Sequence, residues 1–219
     1  MSREAVEIET GRAPLGAVIW LHGLGADGHD FEPIVPQLIR PGDKALRFVF
    51  PHAPIRPVTL NGGFAMRAWY DVSALDRRAT EDEKGIRASQ AAIENLIRRE
   101  NARGIKSEHI VLAGFSQGGA MALFSGVRFP EKLAGIMGLS CYLPLASRLA
   151  DERVAANDQT PIFLAHGSQD PVVSMALGEH ARRQLEAAGY AVEWHVYTMP
   201  HAVCPQEVAD IATWLRRVV

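Results

Sequence analysis

The sequence is poor in cysteine: Cys141 and Cys204 are the two present in 219 residues. Two cysteines with unlike flanks build neither a disulfide framework nor a metal-ligand pattern, so both are expected as free thiols. An excess of one charge is also missing. The formal net charge is -2 with acids and bases interleaved, which excludes a basic stripe for nucleic acid and an acidic tail. No apolar run reaches membrane-spanning length. The opening stretch "MSREAVEIETGRAPLG" carries charges where a signal peptide needs an uninterrupted apolar segment. A soluble, cytoplasmic chain without an integral membrane segment is expected. Repeats, low-complexity tracts and linkers are lacking as well, and 47% hydrophobic residues suffice for one sizeable core. A single domain spanning 1–219 is expected.

What is present is an alternation of two periodicities. Short apolar runs recur: "AVIWL" from Ala17, "RFVF" from Arg47, "HIVLAGF" from His109, "GIMGLS" from Gly135, "PIFLAHG" from Pro161 and "VEWHVYT" from Val192. They read as strands buried on both faces. Between them, Ile86, Ile93, Leu96, Ile97 and Glu100 repeat at helical spacing, with Thr80 and Glu83 as a capping box. Ser174 and Gly189 bracket a second helix, and Pro205 opens a third. Such alternation predicts an α/β fold: one mostly parallel sheet flanked by helices on both faces, with functional residues at the carboxyl ends of the strands. The stretch from Pro51 to Asp76, rich in Pro and Gly, reads as a long irregular loop.

At one strand end stands "GFSQG", with Ser116 between Gly114 and Gly118. A bare GxSxG is weak, because glycines also permit an ordinary tight turn with serine as a helix cap. Here the motif follows the strand "IVLAGF" and precedes a stretch that can be helical to Phe129, which is the setting of a nucleophile elbow. A serine hydroxyl needs a base oriented by an acid. In this fold the acid and then the histidine follow the serine in the chain. Asp170, in "SQDPVV", and His201, in "MPHAVCPQE", have that order and lie after strands. His166 is a minor candidate for the base, Asp151 and Asp158 are weaker acids, and His109, His180 and His195 lie on predicted strands or a helix.

Gly23, Gly25 and Gly28 in "LHGLGADGHDF" literally match GxGxxG, which raises a dinucleotide-dependent oxidoreductase. That fingerprint needs a helix opening inside the motif and an acid ending the next strand. "GHDFEP" delays the helix, and the next strand ends "FVFPHAP". The other reading is a turn whose Leu24 amide joins that of Gln117 in an oxyanion hole. Phe64, Met66, Trp69 and Tyr70 either line an apolar substrate-binding site or anchor the long loop to the core. Asp71 reads as a loop anchor.

The segments "LHGLGADG", "RPVTLNGGFAMRAWYD", "EDEKGI", "AGFSQGGAMAL", "LSCYLPL", "HGSQDPVV" and "PQEV" together resemble the short-chain carboxylesterase and acyl-protein thioesterase family of the α/β-hydrolase fold. The resemblance runs from about Val18 to the C-terminus. It implies Ser116 as nucleophile, Asp170 as acid and His201 as base. It also implies hydrolysis of carboxylic esters and thioesters through an acyl-enzyme, without metal or cofactor. The partner is then a small-molecule ester or an acylated substrate such as a lipidated protein, handled by a monomer or homodimer. Arg67 and Ala68 depart from the Pro and Ser that relatives often carry, and Pro200 stands where they often have Gly. A serine peptidase and a non-catalytic binding protein of the same fold remain as alternatives.

Overall fold

The structure, a computed structural model, describes residues 5–74 and 81–219. Among these residues, nine strands run β1 (Ala5–Glu9), β2 (Gly16–Leu21), β3 (Leu46–Pro51), β4 (Ile55–Val58), β5 (Phe64–Arg67), β6 (Ile110–Phe115), β7 (Gly135–Leu139), β8 (Ile162–Gly167) and β9 (Val192–Tyr197). The helices are α1 (Val35–Leu38), α2 (Glu83–Ala102), α3 (Gln117–Gly126), α4 (Leu149–Glu152), α5 (Met175–Ala187) and α6 (Pro205–Val218). Seven strands form one sheet in the order β1-β3-β2-β6-β7-β8-β9. β1 is antiparallel to β3, and the other neighbours are parallel.

Side chains alternate across a strand, so each apolar run feeds two cores. Ile19, Leu21, Ile110 and Leu112 pack with Ile86, Ile93, Phe124 and Leu185 from α2, α3 and α5 on one face. Val18, Trp20, Val111 and Ala113 pack with Leu38, Ile211, Trp214 and Leu215 from α1 and α6 on the other. Burial on both faces is what made these strands read as continuous apolar runs. The α/β fold with helices on both faces is as expected.

Three features depart from the sequence reading. β9, expected to be buried on both faces, is a partly exposed strand at the sheet edge. The charged N-terminal stretch contains β1, an edge strand whose Val6 and Ile8 pack on one core while Glu7 and Glu9 face basic side chains. Arg47 bonds both Glu9 (2.9 Å) and the fully buried Glu100 of α2 (2.6 Å), tying the edge strand to the helix. Within the supposed irregular stretch, β4 and β5 pair as a hairpin with Val58 opposite Phe64. Its four-residue strands are mostly exposed, so no burial alternation announced them.

Helix ends follow the reading in part: Pro205 opens α6. Asp82 caps α2 by accepting from the Gly85 amide at 2.9 Å, whereas the expected Thr80 cap lies outside the described residues. Ser174 precedes α5 but makes no side-chain cap bond, and Gly189 follows its end. α3 stops at Gly126; the amides of Arg128 and Phe129 bond three residues back, which tightens the exit.

Candidate active site

β6 delivers the chain to Ser116 and α3 begins at the next residue. Ser116 has φ 53° and ψ -120°, a conformation that costs a non-glycine residue on the order of 1–3 kcal/mol. Its backbone is held from both sides: the amide donates to Leu139 O at 2.8 Å, and the carbonyl accepts from Ala120 N at 3.0 Å. The glycines have a steric reason. A Cβ on Gly118 would lie 2.1 Å from Leu21 O, and one on Gly114 2.3 Å from the Gly118 carbonyl carbon. Strand, helix and the end of β2 can therefore meet only if both positions lack side chains.

Asp170 follows β8 in a loop fastened by its own carboxylate. Oδ1 accepts from the amides of Val172 (2.8 Å) and Val173 (2.9 Å), and Oδ2 accepts from His201 Nδ1 at 2.7 Å. A carboxylate can only accept, so Nδ1 carries the proton and Nε2 is the basic nitrogen. His201 follows β9 and packs against the Phe115 ring, centroids 4.7 Å apart. His166 lies on the other side of the acid, 3.6 Å from Oδ2, and donates from Nε2 to Val173 O at 2.8 Å. Burial holds its pKa below the usual histidine value. It braces the acid loop and does not line the cavity described next.

A cavity of about 300 Å³ brings together Ser116, His201, Leu24 and Gln117. Gln117 is the first residue of α3, so its amide has no intrahelical acceptor. In the turn after β2, the two amides that follow Leu24 are committed, Gly25 N to Arg67 O (2.9 Å) and Ala26 N to Gly23 O (3.3 Å). No helix opens within Gly23–Gly28, which removes the dinucleotide reading. His22 shapes this turn: Nδ1 donates to Gly23 O (2.7 Å), and Nε2 accepts from Ala53 N (3.0 Å). Those roles require the neutral ring, and burial lowers its pKa accordingly. Its bracing role had no signal in the sequence beyond its place before Gly23.

None of the four aromatic and methionine candidates lines this cavity, although Trp69 and Tyr70 bond the lining residues Gln117 and Tyr142. Trp69 and Tyr70 are buried in the core; the Trp69 indole donates to His22 O at 2.9 Å, and Tyr70 OH meets Tyr142 OH at 2.6 Å. Met66 Sδ accepts from Asn61, and Phe64 is 76% exposed on the hairpin. Trp69 and Tyr70 tie the loop to the core, whereas Phe64 and Met66 belong to no core cluster. Asp71 also anchors, accepting from Thr59 N (2.7 Å) and Oγ1 (2.6 Å). The apolar lining comes instead from Leu60, Val72, Tyr142, Val172 and Val173. They stand on four separate connections, which no periodicity could assemble.

A mostly parallel sheet with serine on a strained strand-to-helix turn, followed in the chain by a paired aspartate and histidine, defines an α/β-hydrolase. The chain belongs to the phospholipase/carboxylesterase family, whose sequence model matches residues 3–219. It is 44% identical over 207 residues to the acyl-protein thioesterase 1 of Neurospora crassa, covering 90% of this chain and 84% of that protein. The acyl-protein thioesterase 1 of Mycosarcoma maydis is 39% identical, with 96% and 94% covered. The crystal structure of Zea mays acyl-protein thioesterase 2 superposes with a TM-score of 0.82 at 30% identity, covering 97% of this chain and 98% of that one. The chain is a serine hydrolase of carboxylic esters. Among the described residues no helix is long and apolar enough to cross a membrane.

Proposed function

We propose that Ser116 is the nucleophile of an ester and thioester hydrolase that works through an acyl-enzyme. The observation that carries this reading is the 2.7 Å bond from His201 to Asp170 beside a cavity that Ser116 shares with His201. His201 Nε2 takes the Ser116 proton as Oγ bonds to the carbonyl carbon. The amides of Leu24 and Gln117 hold the resulting oxyanion, each worth roughly a hundredfold or more in rate. The proton passes to the departing alkoxide or thiolate. Water then repeats the attack on the acyl-enzyme, releasing the acid and restoring Ser116. No metal or cofactor has a step in this sequence.

The substrate is an acylated thiol or alcohol, and the relatives named acyl-protein thioesterase favour the thioester of a lipidated protein. Two free cysteines fit a cytoplasmic setting. The test is kcat/KM for nitrophenyl esters and matching thioesters from acetyl to palmitoyl, with an anilide of the preferred acyl group and Ser116→Ala as blank. Ester and thioester turnover that vanishes in the variant is the expected result. Efficient anilide cleavage favours a peptidase, and turnover unchanged in Ser116→Ala refutes the mechanism.

A further inference from the structure

Asp30 lines the same cavity as Ser116 and His201, and it carries the one carboxylate among the described lining residues. No lysine or arginine lines the cavity among those residues. We propose that Asp30 selects the leaving group, favouring esters and thioesters whose departing alcohol or thiol bears a cation. This rests on the ester and thioester reading above and extends it to charge.

The two substituents of the scissile carbonyl meet different chemistry in this cavity. Leu60, Val72 and Val172 offer apolar surface, which an acyl chain covers favourably. A carboxylate buried against that chain would lose water without gaining a partner, a costly arrangement. Asp30 is therefore left to the other substituent, and a cationic nitrogen is the group that compensates it.

Among the described residues nothing cancels the charge of Asp30. Its amide donates to Asp27 O at 3.1 Å, and the Asp27 carboxylate accepts from the His29 amide at 2.8 Å. Asp30 is an exposed residue; among the described residues, partial desolvation first, and then the Asp27 charge, raise its pKa above the usual carboxylate value, and no cation among them acts the other way. Among the described basic groups, His29 bonds Glu32 (2.7 Å), His52 the Gly28 amide (3.0 Å), and Arg67 Ala53 O (2.9 Å). Water in the open cavity screens the attraction, so a discrimination of about fivefold between cationic and neutral leaving groups is expected at low salt.

The shared chemistry is a cationic nitrogen on the leaving group, supplied by a small ammonium thiol or by lysine beside an acylated cysteine. The test fixes the acyl group at the preferred length and measures kcat/KM for three thioesters: the thiocholine, its uncharged 3,3-dimethylbutyl isostere and the anionic 3-mercaptopropionate. S-acylated cysteine peptides flanked by lysine or by glutamate form a second series, which separates the two sources. The wild-type order cationic, neutral, anionic, flattened in Asp30→Asn and weakened by 0.5 M salt, is the expected result. Preference in the small thioesters alone assigns a small ammonium thiol; preference in the peptides assigns lysine beside the cysteine. Equal rates across charges, or a preference that survives Asp30→Asn, overturn the assignment to Asp30 while leaving the hydrolase intact. Absence of any turnover above the Ser116→Ala blank removes the hydrolase reading and the charge selection with it.

Discussion

Gln117 grips the loop around Trp69 with both ends of its side-chain amide: Oε1 accepts from Trp69 N and Nε2 donates to Tyr70 O, each at 2.8 Å. Trp69 is further held through its indole to His22 O, so the elbow, the Leu24 turn and the long loop form one buried network. A residue that opens α3 and lines the cavity thus also sets the loop beside it.

Replacing Gln117 by alanine leaves two buried backbone groups unpaired. Such groups cost about 1–3 kcal/mol each when desolvated without a partner. A fall in stability of at least that size, with kcat falling more than KM rises, is expected from denaturant unfolding and steady-state kinetics. A variant with unchanged stability would show that the loop does not depend on this clamp.

Gly118→Ala forces a methyl into the Leu21 carbonyl, with no flexible side chain to yield. Overpacking of this kind costs roughly 1–3 kcal/mol and more where backbone must move. The expected outcome is a marked loss of folded protein in a thermal-shift or soluble-yield measurement, since moving Leu21 also moves the turn bearing Leu24.

Asp170→Asn keeps an oxygen able to accept from Val172 and Val173 but presents N–H to His201 Nδ1. The imidazole then has to adopt the other tautomer, whose Nε2 cannot take the serine proton. A drop in kcat of about 10⁴ at neutral pH, with little change in melting temperature, is expected from comparison with other triads.

Glu207 of α6 is fully buried, and burial, aided by Asp210 and offset in part by the Cys204 amide, pushes its pKa up to about 8. The folded protein keeps this proton until about pH 8, whereas the unfolded chain releases it near 4.5. Stability contributed by the protonated form is therefore fully present below 4.5 and is lost as pH rises towards 8, at up to about 1.4 kcal/mol per pH unit. His22 and His166, with lowered pKa values, act oppositely: their contribution is present above about 6.5 and is lost as pH falls. Glu207→Gln removes the first effect alone. Its unfolding free energy relative to wild type should climb from pH 5 to 8 and level off above, as read by urea titration at each pH.

The sequence made the sheet legible where strands are buried on both faces, because every residue of β2, β3, β6, β7 and β8 is apolar or small enough to read as one run, Arg47, Pro51 and His166 aside. It made β1 and the β4–β5 hairpin illegible: one hides its alternation among charges that pair across the chain, and the other is short and exposed. Ser116, Asp170 and His201 could be read because each stands just past a strand in a fixed chain order. The lining from Leu60, Val72, Tyr142 and Val172 could not, since loops converge through tertiary packing that leaves no period. Trp69 and Tyr70 drew attention as large aromatics, yet their polar atoms have buried partners that hold them in the core.

The central claim is that Ser116 is activated by His201 and Asp170. The most direct test is treatment of the intact protein with a fluorophosphonate, followed by mass measurement and mapping of the modified peptide. One adduct per chain on Ser116, lost in Ser116→Ala and formed far more slowly in His201→Ala, is the expected result. An unmodified Ser116, or labelling at the same rate without His201, would contradict it.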